Sequence, residues 1–67
     1  MDDTDVMILE LDKRIAATRD NIRQLVEQAA AVTGIAAEEA AADRMAEQEA
    51  VLAELIKARD NLTGGKP

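Results

Sequence analysis

The stretch that decides the fold of this chain is residues 8–32, which read ILELDKRIAATRDNIRQLVEQAAAV. Apolar residues recur in it at alternating intervals of about three and four positions, which places them on one stripe of an α-helix. Such a stripe is the seam of a coiled coil and has to be covered by another helix. The sequence therefore predicts an all-α protein held together by helix association. The predicted seam residues of this helix are Ile8, Leu11, Ile15, Ile22, Leu25 and Ala29, and the same apolar pattern extends to Val32.

The whole chain of 67 residues is short enough to form one small domain, residues 1–67. Thr4 or Asp3 can cap the first helix, since short polar side chains accept hydrogen bonds from the first free N–H groups. Glycine and proline end the second helix in the order that a C-terminus prefers. The expected elements are a first helix at about 5–32, a turn at about 33–36, a second helix at about 36–62 and a flexible tail at 63–67.

Gly34 marks the join between the two predicted helices. It follows the last seam residue of the first helix, Val32, by two positions. A glycine with positive φ commonly ends a helix at that place. The apolar pattern also changes phase there. Both features favour an antiparallel hairpin over one continuous helix, which at about 60 residues would be about 90 Å long.

Folding the chain back at Gly34 brings together residues whose numbers sum to about 70. Most of these pairs are apolar on both sides, and small residues face small ones near the turn. Thr18, Gln48 and Arg59 interrupt the seams, and we interpret them as polar residues that fix the register. The alternative is simple exposure at the edge of the seam, above all for Arg59, whose stem can cover apolar surface while its head reaches water. The same register places Asp12 near Arg59. The predicted seam residues of the second helix are Ala41, Met45, Leu52, Leu55 and Leu62.

Further apolar residues lie beside the two seams. A broad apolar stripe is typical of a helix that contacts two neighbours in a bundle. We therefore expect the hairpin to form a homodimer, and the dimer to be a four-helix bundle. The residues of the candidate dimer face are Leu9, Val26, Val51 and Ile56.

The composition argues against several classes of function. The chain has no Cys, no His and no aromatic residue, so it lacks thiolates, the commonest zinc ligand and the commonest general base. We expect no enzyme, no catalytic residue, no cofactor and no metal. The net charge is −6, which phosphate backbones repel, so we expect no nucleic acid and no membrane as a partner. The acidic opening is unlike a signal peptide, and we expect a cytoplasmic protein.

The charged residues form one acidic stripe and one basic cluster. The acidic stripe consists of Glu39, Asp43, Glu47 and Glu54. It is open to three interpretations, namely a solvated face, a docking face for a basic protein partner and a metal site made of carboxylates. The basic cluster consists of Lys13, Arg14, Arg19 and Arg23. Acids interleave with it, so we interpret it as solvated surface, and we expect Arg23 to lie near Glu47.

These observations predict a non-enzymatic structural or interaction protein, a small helical adaptor or regulator that acts through self-association and protein binding. In length and hairpin plan the chain resembles the Rop class of small plasmid RNA-binding bundle proteins, and it is also similar to small hairpin co-chaperones of secretion systems. The first resemblance implies a regulator linked to RNA or DNA as an alternative. The second implies an obligate subunit or co-chaperone of a larger helical complex.

Overall fold

Two α-helices make up the fold. The structure, a computed structural model, describes residues 2–31 and 34–64, and of residues 35–37 it describes the backbone alone. The helices are α1 (Asp3–Ala31) and α2 (Ile35–Leu62), which pack against each other. The chain measures 49 × 17 × 16 Å, about half the length of one continuous helix of about 60 residues. The predicted helical hairpin is confirmed.

The N-terminus of α1 is capped by Asp2. Its Oδ1 accepts a hydrogen bond of 2.9 Å from the backbone N–H of Asp5, and its carbonyl accepts one of 3.1 Å from the N–H of Val6. The cap is therefore neither Thr4 nor Asp3, and the helix begins two residues before the expected start at residue 5. The reason is local, since Asp2 has the short acceptor side chain that a cap needs and lies three residues before Asp5.

Gly34 begins α2. Its φ is 122° and its ψ is 141°, and its carbonyl accepts a 3.0 Å hydrogen bond from the N–H of Glu38. The positive φ expected of this glycine is confirmed. No side chain caps the helix, because a glycine has none to offer. The end of the first helix predicted at Val32, and residue 33 of the predicted turn, lie outside the described residues.

The C-terminus of α2 falls at Leu62, the residue expected. The N–H of Thr63 donates to the carbonyl of Arg59 at 3.1 Å, and the Thr63 hydroxyl donates to the carbonyl of Asp60 at 3.0 Å. Gly64 follows with a φ of 89°. These bonds satisfy carbonyls that the end of a helix leaves free. Residues 65–67 of the predicted tail lie outside the described residues.

The contact between the helices is narrow. Ile15 and Thr18, each 7% exposed, are the two buried residues in the described part of the chain. The Thr18 hydroxyl donates to the carbonyl of Arg14 at 2.8 Å, so the buried oxygen is satisfied within its own helix. Ala29, expected in the seam, is exposed. The other predicted seam residues are half-buried, namely Ile8, Leu11, Ile22, Leu25, Ala41, Met45, Leu52, Leu55 and Leu62.

Candidate interaction surfaces

The hairpin has two long surfaces that flank the seam between its helices. Residues of both helices contribute to each of these surfaces. Each side consists of the stripes that repeat every seven residues next to the seam. The Met7 flank consists of Met7, Arg14, Asn21 and Gln28 in α1 with Arg44, Val51 and Ala58 in α2. The Ile56 flank consists of Asp5, Asp12, Arg19 and Val26 in α1 with Ala42, Glu49 and Ile56 in α2.

At the open end of the hairpin, the Met7 flank carries a mainly apolar groove. The groove has a volume of about 460 Å³. Glu10, Arg14 and Asn61 supply its polar edge. Its apolar wall consists of Val6, Met7, Leu11, Ala58 and Leu62. Val6 is 44% exposed and Met7 50% exposed, so two sizeable apolar side chains stand in water beside the groove.

Toward the turn, the same flank becomes polar but carries few charges. A shallow groove of about 250 Å³ lies there between the two helices. Arg44 is the single charged residue in its lining. The remaining lining residues are Asn21, Gln24, Leu25, Gln28 and Gln48. Amide side chains both donate and accept hydrogen bonds, so this half of the flank can pair with a surface of its own kind.

The Ile56 flank is charged along its groove. Arg59 Nε donates to Asp12 Oδ1 at 2.5 Å across the two helices. The pair confirms the neighbours that the hairpin register predicted. Both side chains are partly exposed, at 38% and 46%, so the ion pair fixes orientation more than it stabilises the fold. The groove of about 280 Å³ beside it is lined by Asp12, Ile15, Arg19, Ile56, Arg59 and Asp60.

The four residues of the candidate dimer face do not share one surface. Leu9, Val26 and Val51 are exposed and Ile56 is half-buried. Val51 belongs to the Met7 flank, whereas Val26 and Ile56 belong to the opposite one. A step of five residues turns a helix by about 140°, which separates Val51 from Ile56. Leu9 lies on the neighbouring stripe of α1, farther from the seam than Val26 but on the same side of the hairpin.

The residues that sequence reasoning missed are Val6 and Met7. Met7 stands four positions before the seam residue Leu11, and it is seven positions before Arg14 on the same stripe. That spacing was the available signal, because it places Met7 beside the seam on the side of Val51 once the hairpin is folded.

The acidic stripe lies on the outer side of α2, and two of its members, Glu47 and Glu54, lie next to the Met7 flank, four residues before Val51 and Ala58. Its four members, Glu39, Asp43, Glu47 and Glu54, are all exposed. Within the described residues, no group of three or more acidic side chains is placed to hold a metal ion. Arg23, expected near Glu47, pairs instead with Asp20 of its own helix, one turn away.

The basic cluster is dispersed by short-range pairs. Lys13 Nζ lies 3.9 Å from Glu10 Oε1, and Arg23, a second member of the cluster, pairs with Asp20. Arg14 and Arg19 belong to opposite flanks. The ion pairs among the described residues do not include Arg14 or Glu54.

Comparison with known proteins gives no relative from which a role could be transferred. No family model matches the chain, and no curated protein or solved structure matches it either. In the part of the chain that the structure describes, neither helix is long and apolar enough to cross a membrane.

Proposed function

We propose that this chain is a non-enzymatic interaction protein, a small helical adaptor or regulator whose hairpins associate in pairs as a four-helix bundle. The observation that carries the proposal is the surface that a single hairpin leaves in water. The chain exposes 5105 Å² for a mass of 7.2 kDa. A compact monomer of that mass exposes roughly 4,100 Å².

The excess of about 1,000 Å² is comparable to the roughly 800 Å² that each partner buries in a standard interface. It is also of the right chemistry. Most predicted seam residues are half-buried, and Val6, Met7, Leu9, Val26 and Val51 are exposed. A second hairpin covers such a surface at little cost in conformational entropy, because both helices are already formed. Association therefore supplies the burial that a chain without disulfides needs.

The proposal is tested by the mass of the purified chain. Light scattering with refractive-index detection suits a chain that has no Trp or Tyr. The expected mass is about twice 7.2 kDa, with a melting temperature that rises with protein concentration. A helical monomer that melts cooperatively at all concentrations refutes self-association.

The obligate-subunit alternative rests on the same exposed apolar surface, and the same measurement separates it. A chain that is monomeric and largely unfolded alone, and gains helix only with another protein, supports that alternative. Circular dichroism at 222 nm, recorded across the same concentration series, shows which of the two applies.

A further inference from the structure

We infer that the second copy packs on the Met7 flank with both turns at the same end of the bundle, so that α1 of each copy lies antiparallel to α2 of the other. This rests on the proposed self-association, and it adds the surface and the orientation. In this arrangement Arg14 of one copy faces Glu54 of the partner subunit, and the symmetric contact repeats on the other side.

The choice of flank follows from the charges beside the seam. Of the seven residues that define the Met7 flank, Arg14 and Arg44 are charged. Four of the seven on the Ile56 flank are charged, and the Asp12–Arg59 pair lies across it. Covering a charge is costly unless it is paired and hydrogen-bonded. The Met7 flank is therefore the side that another hairpin can cover at the lower cost.

The choice of orientation follows from the two halves of that flank. Its open half is the apolar groove of Met7, Leu11 and Leu62, and its turn half is the amide-lined groove. A two-fold interface sets a surface against itself. With both turns at one end, apolar residues meet apolar residues and amides meet amides. With the turns at opposite ends, the apolar groove would cover amides and leave them without partners, which is unfavourable.

Charge complementarity supports the same orientation. The Asp12–Arg59 pair sets the register of the hairpin. It shows which residues of α1 and α2 lie at the same height, meaning the same position along the long axis. Because α1 of one copy meets α2 of the other at the same heights, Arg14 comes level with Glu54 to within about one turn. With the turns at opposite ends, the two α2 helices would lie side by side and cross near their middles. Glu47 would then approach Glu54 of the partner subunit, a contact between like charges.

The test is a charge exchange at Arg14 and Glu54, both of which are exposed in the single hairpin. Arg14→Glu alone, or Glu54→Arg alone, sets like charges together twice per dimer. Each should raise the dimer dissociation constant about tenfold, since one exposed charge contact changes affinity by a factor of a few. Mixing the two variants in equal amounts restores opposite charges at both contacts. The mixture should form heterodimers, identified by native mass spectrometry, within about threefold of the wild-type affinity.

The matched control is Arg19→Glu, the same change on the Ile56 flank. It should shift the dissociation constant by less than about threefold. A wild-type dimer that Arg19→Glu weakens as much as Arg14→Glu does, or a mixture that fails to form heterodimers, overturns the assignment of the surface while self-association stands. A wild-type chain that is monomeric throughout overturns the proposed function as well.

Orientation is read separately from a spin label at Asp3→Cys, since the chain has no other cysteine. Labels at the same end of the bundle should lie within about 25 Å, whereas opposite ends would place them about 40 Å apart, given a helical rise of about 1.5 Å per residue. A distance near the larger value overturns the proposed orientation. A distance near the smaller one, together with the charge exchange, supports both parts.

Discussion

Replacing Gly34 with alanine should destabilise the protein by about 1–3 kcal/mol. The φ of Gly34 is 122° and its ψ is 141°, a combination that residues with a β-carbon rarely adopt. A β-carbon built at this position meets nothing within 4 Å, so the cost comes from the backbone and not from a clash. In one continuous helix, the same substitution would stabilise by about 1 kcal/mol, because alanine is the best helix former.

The measurement is urea denaturation followed by circular dichroism at one fixed protein concentration, because the proposed association would contribute to stability. Gly64→Ala is the matched control. Gly64 also has a positive φ, 89°, and also has open space around it. It lies after the last turn of α2, where local fraying relieves the strain without separating the helices. We expect Gly64→Ala to lower the free energy of unfolding by less than about 0.5 kcal/mol.

Two results would refute this reasoning. A gain in stability for Gly34→Ala contradicts the positive φ and, with it, the hairpin. An equal loss for both glycine variants also contradicts it, because the strain at position 34 would then have no special consequence for helix pairing.

Three further predictions test the seam, the cap and the register. Ile15→Ala should lower the free energy of unfolding by about 2–5 kcal/mol because Ile15 is buried, whereas Lys13→Ala should lower it by less than about 0.5 kcal/mol. Equal losses for the two variants in denaturant melts would contradict the predicted seam. Asp2→Ala should cost about 0.5–2 kcal/mol and Thr4→Ala much less; the reverse order would restore Thr4 as the cap. Thr18→Val should change stability by less than about 1 kcal/mol, since its hydroxyl bonds within its own helix, and a loss above about 2 would show that the hydroxyl fixes the register.

The seam and the hairpin could be predicted because they depend on periodicity and on one glycine. Apolar spacing identifies the buried side of a helix without reference to its surroundings, and it placed Ile15 in the core. The cap could not be chosen in the same way. Asp2, Asp3 and Thr4 can all accept a hydrogen bond from the backbone, and the exact first residue of the helix decides among them.

The division of the surface into two flanks does not follow from apolar spacing alone, for a different reason. Apolar residues beside a seam look alike in sequence whichever side they occupy. Only the rotation per residue distinguishes Val51 from Ile56, and only the paired helix shows which residues join each of them. Ala29 is a smaller case of the same difficulty. Its side chain is a single methyl group, and its exposure depends on how neighbouring side chains cover it near the turn.

In the proposed dimer, folding and association would use the same apolar residues, and this limits which substitutions can separate them. Leu11 and Leu62 are half-buried in the single hairpin and also line its apolar groove. Shortening either one would remove contact within the hairpin and, in the proposed dimer, between the hairpins as well. Arg14 and Glu54 are exposed in the hairpin, so changing their charge leaves its core intact. A loss of pairing with unchanged helix content in these two variants would therefore locate the interface, which no substitution in the seam can do.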